Sequence, residues 1–130
     1  MMKELRILLA DDQERVRYGL RALLRQQPGW KVIGEAESAK DLLVLASVLD
    51  PDLVLLDWNL PDMEPEAVMF SLREICQTFL VIVISGQLEV KNEALEAGAS
   101  AFISKVDPPN QLLKTIRAVM NTNQNEGDEK

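Results

Sequence analysis

LVLLD, residues 53–57, is an unbroken apolar run that closes on an aspartate. Its side chains do not alternate between apolar and polar, so as a strand it needs cover on both faces, as in a parallel sheet. RILLA (6–10) and LVIVIS (80–85) have the same character. Two shorter runs, at 32–36 and 101–104, complete a set of five expected strands with 5–10, 53–56 and 79–84. Between them the apolar residues change to helical spacing. Val16, Leu20, Leu23 and Leu24 share one face, and Leu42, Leu45, Ala46 and Leu49 another. Val68, Leu72 and Ile75 form a third, and Leu112, Ile116, Val119 and Met120 a last. A shorter helix is expected over 90–97, stopped by Gly98. Pro28-Gly29 closes the first helix and Asp50-Pro51-Asp52 introduces the third strand. The pattern predicts an α/β (βα)5 domain with right-handed crossovers.

Composition narrows the chemistry. The 130 residues include no histidine, which excludes imidazole catalysis and His-ligated zinc. A single cysteine, Cys76, excludes an intrachain disulfide. With 14 basic against 21 acidic residues, the net charge of −7 argues against direct nucleic-acid binding by this segment. The longest apolar run, 79–84, falls far short of the ~20 residues that span a bilayer, so the expectation is a cytoplasmic chain without a membrane segment. Residues 1–120 are expected to form one domain, and the polar stretch NTNQNEGDEK (121–130) a disordered tail or linker.

Ligands of an open parallel sheet collect at the carboxyl ends of its strands. There this sequence places Asp11 and Asp12 after strand 1, Asp57 after strand 3, Ser85-Gly86 after strand 4 and Lys105 after strand 5. Clustered carboxylates repel unless a cation joins them. An all-oxygen set without His or Cys suits Mg²⁺. A carboxylate can itself accept a phosphoryl group, with Ser85 donating a hydrogen bond to it and Lys105 pairing with its charge. Each residue alone is ordinary: acids favour helix N-termini, and a lone lysine is usually solvated. The joint placement at four strand ends carries the signal.

Taken together, ILLADDQ (7–13), PDLVLLDWNLPDM (51–63), VIVISG (81–86) and EALEAGASAFISK (93–105) resemble the receiver domain of two-component response regulators over roughly residues 4–120. VRYGLRALL (16–24), VIGEAES (32–38) and GASAFISK (98–105) look most like the nitrate-response subfamily, whose receivers are fused to a helix-turn-helix output. The resemblance implies a flavodoxin-like, doubly wound five-stranded parallel sheet in the order 2-1-3-4-5. It implies that Asp57 is the phosphoacceptor and that Asp11, Asp12, Asp57 and the backbone carbonyl of Asn59 hold Mg²⁺. It assigns Ser85 and Phe102 as switch residues and Lys105 as the pocket lysine. The implied partner is a sensor histidine kinase or phosphotransfer protein. A surface of helix 4, strand 5 and helix 5 is implied to control an output, with transcription as the implied output and a phosphorylation-dependent homodimer as a further implication. Asn59 and Gln87, two residues beyond Asp57 and Ser85, are expected to tune dephosphorylation.

Three positions depart from the family pattern. Pro65 stands eight residues after Asp57 where glycine is usual, and is expected in the first turn of helix 3. Val106 replaces the proline that often follows the pocket lysine, so no cis bond is expected there. Gln13 stands where the subfamily commonly has His.

Three other functions compete. An Asp-nucleophile phosphatase needs a second Asp two residues after the first, and that position is Asn59. A flavodoxin-like carrier needs a Ser/Thr/Gly phosphate loop after strand 1, where Asp-Asp-Gln stands instead. A phosphorylation-independent receiver-like binding module would not need the intact pocket set.

Overall fold

The computed structural model describes residues 4–75 and 78–128, with side chains to residue 122. Five strands, β1 (Leu5–Ala10), β2 (Trp30–Ala36), β3 (Leu53–Asp57), β4 (Leu80–Ser85) and β5 (Ala101–Ser104), pair in parallel in the order β2-β1-β3-β4-β5. The helices between and after them are α1 (Glu14–Arg25), α2 (Ala39–Leu49), α3 (Pro65–Ile75), α4 (Lys91–Glu96) and α5 (Pro109–Asp128).

Strand residues alternate between two cores, as the pleat requires. Leu8, Ala10, Val54, Leu56, Val81 and Val83 pack with Leu42 and Ala46 of α2, Val68 and Leu72 of α3 and Ala94 of α4. Ile7, Leu9, Leu53, Leu55, Ile82, Ile84 and Ile103 pack on the other side with Leu24 of α1 and Leu112, Leu113 and Ile116 of α5. All five residues of β3 are buried. The central strand therefore carries Asp57 out of a fully apolar environment.

Local chemistry sets the boundaries. Pro65 opens α3, where a missing N–H costs nothing and its fixed φ suits the first turn. Gly98 adopts φ +112°, a conformation that turns the chain from α4 toward β5 and that residues with a Cβ rarely take. At the start of α2, Ser38 Oγ accepts the Asp41 N–H at 3.1 Å. The Ala39 and Lys40 N–H groups donate to the two carboxylate oxygens of Asp62, at 2.8 and 3.0 Å. The orphan amides of that helix end are thus satisfied partly by the loop that follows β3. Among the described residues no peptide bond is cis.

Four boundaries differ from the sequence expectation. β2 begins at Trp30, two residues early, because Trp30 pairs with Leu5. β4 runs from Leu80 to Ser85 rather than over 79–84. The segment before β5 divides into a 3₁₀ turn, Leu88–Val90, and a short α4. β3 runs one residue beyond the expected 53–56, through Asp57.

Candidate functional site

The carboxyl ends of β1, β3, β4 and β5 bring the candidate groups to one edge of the sheet. Asp11 and Asp57 are buried and Asp12 is exposed. One carboxylate oxygen from each of the three lies within 4.8 Å of the others. Lys105 Nζ sits 3.2 Å from Asp11 Oδ2 and 3.7 Å from Asp57 Oδ2. Three carboxylates thus face one ammonium.

Backbone amides orient the acids. The Gln13 N–H donates to Asp11 Oδ1 at 2.9 Å, and the Asn59 N–H to Asp57 Oδ1 at 3.2 Å. Burial pushes the Asp57 carboxyl above the ordinary carboxylate range, and the negative charge of Asp11 adds to the rise. The Asn59 amide and the Lys105 ammonium act the other way without cancelling it, and Asp12 raises it further. A hard divalent cation would relieve that repulsion. The donor set, oxygen throughout, fits Mg²⁺ or a cation like it.

Ser85 is fully buried and its Oγ accepts the Gln87 N–H at 3.0 Å. Among the described residues its hydroxyl proton has no acceptor. The Asn59 side-chain amide donates to Gln87 Oε1 at 3.3 Å and links the loops after β3 and β4. The loop after β5 closes without a cis bond. Val106 N–H donates to Ser104 Oγ at 3.2 Å, and Ser104 N–H donates to Asp107 Oδ2 at 3.0 Å.

Asp11, Asp12, Asp57, Ser85 and Lys105 therefore converge at the strand ends, with Asn59 and Gln87 on the adjoining loops. Phe102 lies back from the edge, half-buried on β5 opposite Val83 and packed against the core that holds α2, α3 and α4. Trp58 follows Asp57 but turns into that same core, where it is buried. Trp30 stacks under the guanidinium of Arg117, 5.7 Å from its ring centre. Asp62, which holds the start of α2 to the loop after β3, was invisible to sequence reasoning. Its partners lie more than twenty residues earlier in the chain.

Comparison with known proteins gives a consistent result. The family model described as response regulator receiver domain matches residues 7–117. The chain is 37% identical over 112 residues to the nitrate/nitrite response regulator protein NarL of Escherichia coli, covering 85% of this chain and 52% of that protein. It is 35% identical over 116 residues to the transcriptional regulatory protein LiaR of Bacillus subtilis, covering 88% and 55%. The chain therefore spans about half the length of these curated relatives. Among solved structures, a LuxR-family two-component response regulator from an Aurantimonas species superposes with a TM-score of 0.86 at 29% identity, covering 92% of this chain and 87% of that one. A CheY-like response regulator receiver domain protein from Methanospirillum hungatei gives 0.85 at 27% identity, covering 95% and 99%.

Proposed function

The chain belongs to the response regulator receiver domain family, and on that premise we propose that Asp57 accepts the phosphoryl group that switches it. The observation that carries this reading is the position of the Asp57 carboxyl. It stands at the end of the buried central strand, 3.7 Å from the Lys105 ammonium and within 4.8 Å of both Asp11 and Asp12.

In the proposed step, an Asp57 carboxylate oxygen forms a bond to phosphorus as the phosphorus–nitrogen bond of a partner's phosphohistidine breaks. The donor imidazole leaves with that electron pair. These 130 residues hold no histidine, so the donor lies outside them, on a histidine kinase or phosphotransfer protein in this reading. Asp11, Asp12, Asp57 and the Asn59 backbone carbonyl would hold Mg²⁺, which would neutralise charge on the transferring phosphoryl oxygens. Lys105, now paired with Asp11 and Asp57, is placed to exchange part of that pairing for a phosphoryl oxygen. The Ser85 hydroxyl donates to another oxygen.

The switch follows from this change of partners. When Ser85 turns to the phosphoryl group, its contact with the Gln87 N–H is given up. The segment leading into α4 is released, and Phe102 on the neighbouring strand repacks. Phosphorylation in this way biases a two-state surface of α4, β5 and α5. By likeness to the transcriptional regulatory protein LiaR, the proposed output is transcription; a DNA-binding region outside this segment and a phosphorylation-dependent dimer belong to the same proposal. Asn59 and Gln87 set how long the acyl phosphate lasts, and the chain speeds its own phosphorylation and dephosphorylation.

Beryllium fluoride, which mimics a phosphoryl group on a carboxylate, tests the site. With Mg²⁺ present, fluorine NMR should show a bound resonance in the wild type that is absent from Asp57→Ala. A bound resonance that survives in the variant contradicts the assignment.

A further inference from the structure

Arg17, on α1, is the one basic residue that the fold buries among the described residues, with 7% of its surface exposed. A buried guanidinium is costly unless its donors are matched. Its Nε donates to Glu35 Oε1 at 3.2 Å and one terminal nitrogen to Glu14 Oε2 at 2.5 Å. Arg21 binds Glu35 as well, so Glu35 is held from two sides. Those carboxylates already balance the Arg17 charge. The remaining terminal nitrogen goes elsewhere, to a neutral acceptor 2.6 Å away: the backbone carbonyl of Asp11.

That carbonyl shares a rigid peptide plane with the N–H of Asp12. Asp11 is otherwise fixed. Its N–H donates to the Ala36 carbonyl at 3.0 Å, its Oδ1 accepts from Gln13 and its Oδ2 pairs with Lys105. Asp12 is exposed, and among the described residues no hydrogen bond or ion pair holds its carboxylate. The direction of its Cα–Cβ bond is set by its backbone, and its backbone by the peptide plane that Arg17 grips. Lysine could not make this set of contacts, because a single ammonium nitrogen cannot reach two glutamates and a carbonyl in three directions as a planar fork does.

We infer that Arg17 is a positioning residue for cation binding: by holding the Asp11 carbonyl it aims the Asp12 carboxylate into the Asp11–Asp12–Asp57 cluster. The inference rests on the reading that this cluster binds a divalent cation.

Calorimetric titration of the whole chain with Mg²⁺ separates this role from a merely structural one. Groups that orient metal ligands are worth about ten- to a hundredfold in affinity, and Arg17→Gln should lose affinity in that range. Arg17→Lys keeps the charge and serves as the variant least disturbing to folding; it should also bind Mg²⁺ more weakly than the wild type. Glu35→Gln removes an ion pair but leaves the carbonyl contact, so it should lower the melting temperature and leave Mg²⁺ affinity unchanged. Wild-type affinity in folded Arg17→Lys, or a loss in Glu35→Gln equal to that in Arg17→Gln, overturns the inference. A wild-type chain that does not bind Mg²⁺ overturns the cation reading itself, and the inference with it.

Discussion

The side-chain amide of Asn59 donates to the side-chain carbonyl of Gln87 across 3.3 Å. The same two residues anchor the site through their backbones, Asn59 on the Asp57 carboxylate and Gln87 on the Ser85 hydroxyl. On the proposed reading, the bridge spans the edge where a phosphoryl group on Asp57 would sit and would restrict the approach of water. Asn59→Ala and Gln87→Ala break the same bond, so both should shorten the phosphoryl half-life. One net hydrogen bond corresponds to about a two- to tenfold change in rate. Phosphorylation by a small donor should be spared, since neither side chain carries the nucleophile. Half-lives equal to the wild type in both variants would contradict this role.

Asp57 titrates against the stability of the fold. Its carboxyl is raised above the ordinary range by burial first and by the charge of Asp11 second. The native state then holds the proton more tightly than the unfolded chain. Its contribution to stability is complete at low pH and is lost as pH rises through the raised value. In Mg²⁺-free buffer, Asp57→Asn should melt at a higher temperature than the wild type at neutral pH. The gap should close on acidification below the ordinary carboxylate range. A gap that stays constant or widens in acid contradicts the sign.

Asp62 titrates the other way. Its carboxyl is held low by the Ala39 and Lys40 amides at the start of α2. Its contribution is present above the ordinary carboxylate pKa and is lost as pH falls through the depressed value. Asp62→Asn should therefore melt lower than the wild type at neutral pH, with the difference shrinking in acid. Thermal melts across the acid range measure this, and a difference independent of pH contradicts it.

The strand ends were legible in the sequence because apolar strands must be covered on both faces, and topology then dictates where polar groups emerge. Asp11, Asp12, Asp57, Ser85 and Lys105 were found that way, and Pro65 at the start of α3 followed from its fixed φ. What the sequence hid is contact between distant pieces of backbone and side chain. Arg17 reads as an ordinary charged residue beside the apolar stripe of α1, and nothing local shows that it reaches the Asp11 carbonyl. Asp62 caps a helix that begins 23 residues earlier.

Gly34 marks a close approach on β2. A Cβ there would fall 2.8 Å from Leu49 Cδ1 and 3.2 Å from Leu8 Cδ1, beside the register shift between Ile7 and Leu8. Gly34→Val would force both leucines to move and should cost about 1–3 kcal/mol. Urea unfolding measures the loss, and an unaltered midpoint would show that the β2 edge yields freely.

Intact-mass spectrometry after incubation with Mg²⁺ and acetyl phosphate or phosphoramidate tests the central assignment most directly. The wild-type chain should gain a single phosphoryl group, and Asp57→Ala should gain none. Labelling that persists in Asp57→Ala, or a wild type that stays unlabelled with these donors and with a phosphorylated histidine kinase, would contradict Asp57 as the phosphoacceptor.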